Sequence, residues 1–143
     1  MSLVRIGLTA SDYSQAITLA GEPLVENGFV RSEYLASMVR VVDELGPYIV
    51  LVDGFALAHA APGDLVMRNG ISVGVLNQEV DFGRGKMVKV VFALAATDHD
   101  SHISSLGNLA ELLASEDTRN LLLNAGDTAQ IEDLLSGVCG RIG

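Results

Sequence analysis

Apolar residues recur at helical spacing early in the chain, over residues 13–24. Asp12 precedes this stretch, and its side chain can accept a hydrogen bond from the amide of Gln15, whose own side chain completes a capping box. This pattern predicts a helix that begins just after Asp12. Pro23 has no amide hydrogen and disfavours the helical conformation of the residue before it, so we expect the helix to kink or restart there.

The same spacing predicts helices on both sides of a central segment. One of them precedes that segment, begins near Tyr34 and is ended by Gly46 and Pro47. The others follow the segment, and Asp127 or Thr128 caps the last. The helices predicted after the first cover residues 34–45, 103–113, 121–124 and 131–135.

The central segment shows the patterns that are typical of strands. Residues 48–52 form a β-branched apolar run between Gly-Pro and Asp-Gly, which predicts a buried strand. Residues 71–75 alternate apolar and small side chains, which predicts a strand covered on one face, whereas residues 87–96 are apolar on both faces at their centre and predict the interior of a sheet. Helices, then strands, then helices predict an α/β domain in which a mixed β-sheet is flanked by helices on both faces.

The length of 143 residues fits one domain, and we expect a single domain over residues 1–143. Hydrophobic residues make up 49% of the chain and charged residues 19%, which excludes general disorder. The longest apolar run, residues 90–96, has seven residues, whereas a bilayer-spanning helix needs about 20. The N-terminus also lacks the apolar stretch of a secretory signal, so we expect a cytoplasmic protein.

Eighteen acidic residues against nine basic ones give a net charge of −9, which repels the phosphodiester backbone of nucleic acids. The basic residues are scattered, and the most closely spaced of them are Arg84, Lys86 and Lys89. The first two of these lie in a predicted hairpin turn. We therefore expect no nucleic-acid partner. A single cysteine, Cys139, excludes an internal disulfide and a cysteine-cluster metal site, and we interpret it as a stray thiol.

The candidate chemistry lies with the histidines, of which His59 is the first. Its neighbours are alanines, so little side-chain bulk separates the imidazole from an incoming group, and it lies a few residues after the first predicted strand. An imidazole placed in this way could act as a nucleophile. The same pattern also fits a strand-end histidine that hydrogen-bonds to a carbonyl and has no chemical role.

His102 lies at the predicted start of a helix, where unpaired amides and the helix dipole favour an anion. The surrounding residues fit equally well a solvated capping turn in which Asp98, Asp100 and Ser101 satisfy these amides. His59, His99 and His102 together could also form a metal site, although a His-x-x-His pair is weak evidence without a further ligand. We expect neither a metal nor a cofactor.

An ordered set of residues and segments runs from about Asp12 to Leu135. It comprises residues 12–13, 16–17, 24–25, 28, 34, 38, 46–50, 56–60, 62, 80–83, 92–98, 102, 106, 109 and 112. This set resembles the enzyme IIA component of the bacterial phosphoenolpyruvate-dependent sugar phosphotransferase system, in its mannitol/fructose-type superfamily. Ala58 stands where the mannitol and fructose branches have proline, which favours the ascorbate-type branch of that superfamily.

The resemblance implies a phosphocarrier whose fold is a mixed sheet flanked by helices. His59 matches the histidine that accepts a phosphoryl group from the histidine-containing phosphocarrier protein and passes it to a cysteine of a cognate IIB component. His102 matches the histidine that stabilises the phosphoryl group. The implied activity is that of a phosphotransferase in the uptake of an ascorbate-like sugar, with membrane association only through the transporter. The alternative is a regulatory module of the same fold that binds partners and passes no phosphate to a transporter.

Overall fold

A computed structural model describes residues 3–142, and the side chains of residues 3–136. Within this range the chain forms four strands and five helices. In chain order these are β1 (Val4–Leu8), α1 (Tyr13–Glu26), α2 (Glu33–Leu45), β2 (Gly54–Ala58), β3 (Gly70–Asp81), β4 (Met87–Ala95), α3 (His99–Leu113), α4 (Glu116–Asn124) and α5 (Thr128–Ile142).

The strands form one mixed sheet in the order β1-β3-β4-β2. β3 and β4 are antiparallel, whereas β1 pairs with β3 and β2 pairs with β4 in parallel. The register places Ala58 opposite Ala93 and Gly70 opposite Ala95. The carboxyl ends of β2 and β4 and the amino end of β3 therefore lie at the same end of the sheet.

Alternate side chains of the strands point to two separate cores, one on each face of the sheet. Ala56, Ala58, Val91 and Ala93 belong to the core that α1 and α2 cover. Phe55, Leu57, Val90 and Phe92 belong to the core covered by α3, α4 and α5. This arrangement confirms the predicted α/β class with helices on both faces of a mixed sheet.

The first helix begins as predicted, because Asp12 Oδ1 accepts a hydrogen bond of 2.8 Å from the amide of Gln15. Gln15 Oε1 accepts in turn from the amide of Ser11, one residue earlier than the predicted capping box. The expected restart at Pro23 is wrong, since α1 continues to Glu26. Burial of Pro23 and the hydrogen bond from the amide of Asn27 to its carbonyl hold the last turn together.

The predicted strand at residues 48–52 is also wrong, because these residues form a turn and a short irregular segment. The amide of Val50 donates to the carbonyl of Pro47, and Tyr48 and Leu51 are 60% and 52% exposed. Ile49 alone of this apolar run is fully buried in the core. The strand at this place in the fold is β2, which begins after the turn and pairs with β4, a strand that is buried from Val90 to Ala95.

Residues 71–75 lie in a longer strand, β3, and they are buried on both faces rather than one. The small residues explain this, because they let α1 approach the sheet. Ser72 Oγ donates a 2.6 Å hydrogen bond to the carbonyl of Ala20, and a Cβ at Gly74 would lie 3.0 Å from the Ala20 Cβ. β4 confirms the interior strand predicted at residues 87–96, whereas β1 was not among the predicted strands.

The remaining predictions for the second half of the chain hold where the structure describes them. Residues 82–86 form the predicted hairpin turn between β3 and β4, with Gly83, Arg84 and Gly85 at positive φ. Helices α3, α4 and α5 follow in the predicted order, and Asp127 Oδ1 accepts from the amide of Gln130 as the cap of α5. The side chain of Cys139 lies outside the described residues.

Candidate functional site

His59 directly follows β2 at the end of the sheet where β4 also ends. Its Nδ1 lies 2.7 Å from the carbonyl oxygen of Leu57. Because a carbonyl oxygen can only accept, Nδ1 carries the hydrogen of the neutral ring, and Nε2 is left with its lone pair. The ring is half-buried. A hydrogen bond to a carbonyl was also expected if His59 has a purely structural role, so the bond alone does not separate the two interpretations. It does orient the ring and leaves the second nitrogen without this partner.

His102 lies in the first turn of α3, which starts just beyond the end of β4. Its ring centroid is 5.2 Å from that of His59, and the two rings meet edge to face at 76°. The helix start is fixed by Asp98, whose Oδ1 accepts a 2.7 Å hydrogen bond from the amide of Ser101. The structure therefore brings together two histidines that are separated by 43 positions in the sequence.

Burial lowers the pKa of His102 below its ordinary value, and the nearby His59 and His99 act in the same direction. The neutral form of the ring therefore predominates at pH 7, and it has one N–H to donate and no positive charge. The amide and hydroxyl of Ser101 lower the pKa of the Asp98 carboxyl. Asp98 is consequently ionised at neutral pH, which suits a carboxylate that caps a helix.

Tyr34 of α2 holds the residue that follows His59. Its buried hydroxyl donates a 2.7 Å hydrogen bond to the carbonyl of Leu94 and accepts one of 3.1 Å from the amide of Ala60. Burial raises the pKa of this hydroxyl, and its hydrogen bonding with Ala60 acts in the opposite direction. Sequence reasoning placed Tyr34 in an apolar helix stripe and missed this role, although a buried tyrosine hydroxyl requires a partner.

Asn69 is a second residue of the site that sequence reasoning missed. It precedes β3 and is half-buried at the same end of the sheet. Its side chain bonds to Thr97 and Ser101, which lie on either side of the Asp98 cap. No local sequence pattern points to this role, because the contacts join residues about 30 positions apart.

An apolar cleft of about 490 Å³ opens beside His59, between the turn that precedes β2 and the helix α3. The cleft is lined in part by Tyr48, Leu51 and Ile103, whose exposed fractions are 60%, 52% and 56%. We refer to these three residues as the apolar rim. A cluster of large exposed apolar side chains is typical of a protein-docking surface. The remaining lining residues are Ile49, Leu57, Leu106, Gly107 and Ala110.

The metal hypothesis receives no support from the positions of the histidines. Among the residues with described side chains, no group of three or more His, Cys, Asp or Glu is placed to hold a metal ion. His99 is exposed at the start of α3 and influences His102 only through its charge. The same part of the chain contains no helix that is long and apolar enough to cross a membrane.

Comparison with known proteins identifies the family of the chain. Residues 1–138 match the model described as "Phosphoenolpyruvate-dependent sugar phosphotransferase system, EIIA 2". The chain belongs to this family, whose members are phosphotransferase components of the sugar phosphotransferase system. The predicted family and enzyme class are thereby confirmed.

The chain is similar to relatives that are named as specific for two different sugars. The mannitol-specific cryptic phosphotransferase enzyme IIA component of Escherichia coli K12 is 32% identical over 136 residues, covering 94% of this chain and 92% of the relative. The ascorbate-specific EIIA component of Mycoplasma pneumoniae is 32% identical over 118 residues, covering 81% and 73%. The solution structure of the mannitol-specific cryptic enzyme IIA from Escherichia coli superposes with a TM-score of 0.85, at 31% identity, covering 95% of this chain and 93% of that one.

Proposed function

We propose that residues 1–143 form one IIA-type domain that carries a phosphoryl group on Nε2 of His59. The observation that supports this most directly is the hydrogen bond from Nδ1 of His59 to the carbonyl of Leu57. This bond leaves the Nε2 lone pair free and holds the ring in one orientation. Phosphoryl transfer requires mainly such positioning, together with groups that stabilise charge on the transferred oxygens.

The proposed donor is the phosphohistidine of the histidine-containing phosphocarrier protein. As Nε2 of His59 forms its bond to phosphorus, the N–P bond of the donor breaks and its electron pair returns to the donor ring. In the second transfer a cysteine thiolate of the cognate IIB component attacks the phosphorus. The bond to His59 breaks, and its electron pair returns to Nε2.

His102 stabilises the phosphoryl group in this proposal. Its ring meets that of His59 edge to face, so an N–H of the neutral ring can donate to a phosphoryl oxygen. Because burial and the neighbouring histidines lower its pKa, His102 contributes this hydrogen bond without a full positive charge. A neutral donor holds the phosphoryl group less strongly than an arginine would, which suits a protein that must release it.

The apolar rim is the proposed docking surface for both partners. The rim surrounds the cleft beside His59, so a partner seated on it would bring its own reactive residue close to Nε2. The chain carries a net charge of −9, which favours a partner whose facing surface is basic. The proposed location is the cytoplasm, where the domain meets the membrane only through its transporter.

The proposed substrate of that transporter is an ascorbate-like sugar. Ala58 supports this assignment, since it stands where the mannitol and fructose branches have proline. The equal 32% identity to a mannitol-specific and an ascorbate-specific relative makes mannitol the second candidate. Transfer from the phosphorylated domain to separately purified IIB components of the two types decides between them.

Intact-protein mass spectrometry tests the proposed carrier function. The chain is incubated with phosphoenolpyruvate, enzyme I and the histidine phosphocarrier, and one acid-labile phosphoryl adduct is expected. The adduct is absent from His59→Ala if His59 is the acceptor. No adduct with a verified active cascade would contradict the proposal. An adduct that no IIB component accepts would support the regulatory alternative instead.

A further inference from the structure

Asn69 connects the start of β3 with the start of α3. Its Oδ1 accepts a 2.8 Å hydrogen bond from the amide of Thr97 and one of 3.2 Å from the Thr97 hydroxyl. Its Nδ2 donates a 3.3 Å hydrogen bond to Ser101 Oγ. Thr97 and Ser101 stand on either side of Asp98, the N-cap of α3. One amide side chain therefore spans the first turn of the helix that carries His102.

The orientation of the Asn69 amide is determined by chemistry. A backbone amide can only donate, so the atom that faces the Thr97 nitrogen must be the oxygen. The NH₂ group then faces Ser101 Oγ, whose hydroxyl hydrogen is free to donate to the Asp98 carboxylate. Asn69, Ser101 and Asp98 thus form a chain of hydrogen bonds that ends on the helix cap.

The sheet register explains why Asn69 reaches this position. Gly70 pairs with Ala95, so the residue before Gly70 lies beside the residues that leave β4 toward α3. The adjoining Arg68 anchors the same loop from the other side, since it donates to the carbonyl of Asn27 and its guanidinium lies 4.1 Å from the centroid of the Phe29 ring. The loop that bears Asn69 is therefore held independently of α3.

We propose that Asn69 is a positioning residue that fixes the first turn of α3 on the sheet and thereby sets the distance between His102 and His59. The inference rests on the proposed function for its catalytic consequence, because the two rings must cooperate on one phosphoryl group. Asn69 itself touches neither ring in this account and acts through Thr97 and Ser101. A misplacement of about 1 Å at a reacting centre can reduce a rate by about 100-fold.

The test compares Asn69→Ala with Arg68→Ala as a matched control. Arg68→Ala removes contacts of the same loop but none with α3. In single-turnover transfer from the phosphorylated chain to a IIB component, Asn69→Ala is expected to be slower by about 10- to 100-fold. Arg68→Ala is expected to stay within about threefold of the wild-type rate, since the backbone amides of Met67 and Arg68 still donate to the carbonyl of Phe29 and hold the loop.

A second readout does not depend on phosphorylation. In an NMR titration of the unphosphorylated protein, the pKa of His102 is expected to rise toward its ordinary value in Asn69→Ala, because a loosened helix start exposes the ring. The groups whose charges bear on His102 are His59 and His99, and neither is altered in the variants. Arg68→Ala is expected to leave this titration unchanged.

The outcomes separate the inference from the proposed function. If the wild type accepts no phosphoryl group, the proposed function fails, but the titration still decides the role of Asn69. The inference would be overturned if Asn69→Ala had the wild-type transfer rate and the wild-type titration of His102. It would also be overturned if Asn69→Ala lost no more rate than Arg68→Ala and its His102 titration were unchanged. Should Asn69→Ala fail to fold, Ser101→Ala removes the acceptor of the Nδ2 hydrogen bond and must shift the same two readouts in the same direction.

Discussion

The hydroxyl oxygen of Tyr34 lies 3.1 Å from the backbone nitrogen of Ala60, the residue that follows His59. The same hydroxyl donates to the carbonyl of Leu94 at the end of β4. A single side chain from α2 therefore connects the segment that bears the proposed phosphoacceptor to the end of β4. His59 is thus positioned both by the strand that it follows and by a contact from α2.

Tyr34→Phe is expected to destabilise the protein. It leaves the buried amide of Ala60 without this acceptor and the carbonyl of Leu94 without this donor, which costs about 1–3 kcal/mol. Urea denaturation measures the free energy of unfolding. Tyr48→Phe is the control, because Tyr48 is exposed and the loss of its hydroxyl should change stability by less than about 0.5 kcal/mol. Equal stability of the two variants would show that the Tyr34 hydrogen bonds contribute nothing.

Substitution of the two histidines is expected to have unequal effects. His59→Ala removes the acceptor nitrogen, so no phosphoryl adduct forms. His102→Ala removes only a hydrogen-bond donor to the phosphoryl oxygens, and transfer to a IIB component should slow by on the order of 100-fold while the adduct still forms. Mass spectrometry and a single-turnover assay measure the two quantities. Complete loss of the adduct in both variants would contradict the division of roles.

The sequence predicted both histidines but neither of the residues that hold them. His59 and His102 are rare residue types in distinctive local settings, after a strand and at a helix start. Tyr34 hydrogen-bonds to residues 26 and 60 positions away, and Asn69 hydrogen-bonds to residues 28 and 32 positions away. No local periodicity encodes contacts at such separations. These contacts form only once the strands have paired into the sheet.

The misplaced strand has a related cause. Residues 48–52 are more β-branched than Gly54–Ala58, and local preference therefore favoured them. The choice between the two segments is made by pairing with β4, because Gly54–Ala58 pairs with β4 and its residues 55–58 are buried on both faces of the sheet. The overall class survived this error because the order of helices and strands along the chain was correct.

Ser105 on α3 offers a test of packing near the site. Among the described side chains its Oγ is buried and has no hydrogen-bond partner. Ser105→Ala should raise the free energy of unfolding by about 1 kcal/mol, because it removes an unsatisfied polar group. Ser104→Ala on the exposed face of the same helix is the control for helix propensity, which alone favours alanine by a few tenths of a kcal/mol. A Ser105→Ala variant less stable than Ser104→Ala would show that the hydroxyl has a partner.

The lowered pKa of His102 predicts how stability depends on pH. Between the folded pKa and the ordinary value of 6.5, the unfolded chain binds more protons than the folded protein. The free energy of unfolding should therefore fall as the pH decreases below about 6.5. Urea denaturation at pH 7.5 and 5.5 measures this loss, which should be smaller in His102→Gln. The Asp98 contribution is lost only at lower pH, below the ordinary carboxyl value of 3.8, so it does not confuse the comparison.

The apolar rim predicts a defect in partner binding that leaves the chemistry intact. Ile103→Ser removes a large exposed apolar side chain beside the cleft, and it should raise the KM for the phosphocarrier and for the IIB component by about tenfold. Met87→Ser is the matched control, because Met87 is also exposed but begins β4 at the end of the sheet away from His59. Both variants should unfold at similar urea concentrations, since neither side chain is buried. If the KM rose equally in the two variants, the docking surface would not include Ile103. A fall in kcat of Ile103→Ser with an unchanged KM would mean that Ile103 positions the reacting groups instead of the partner.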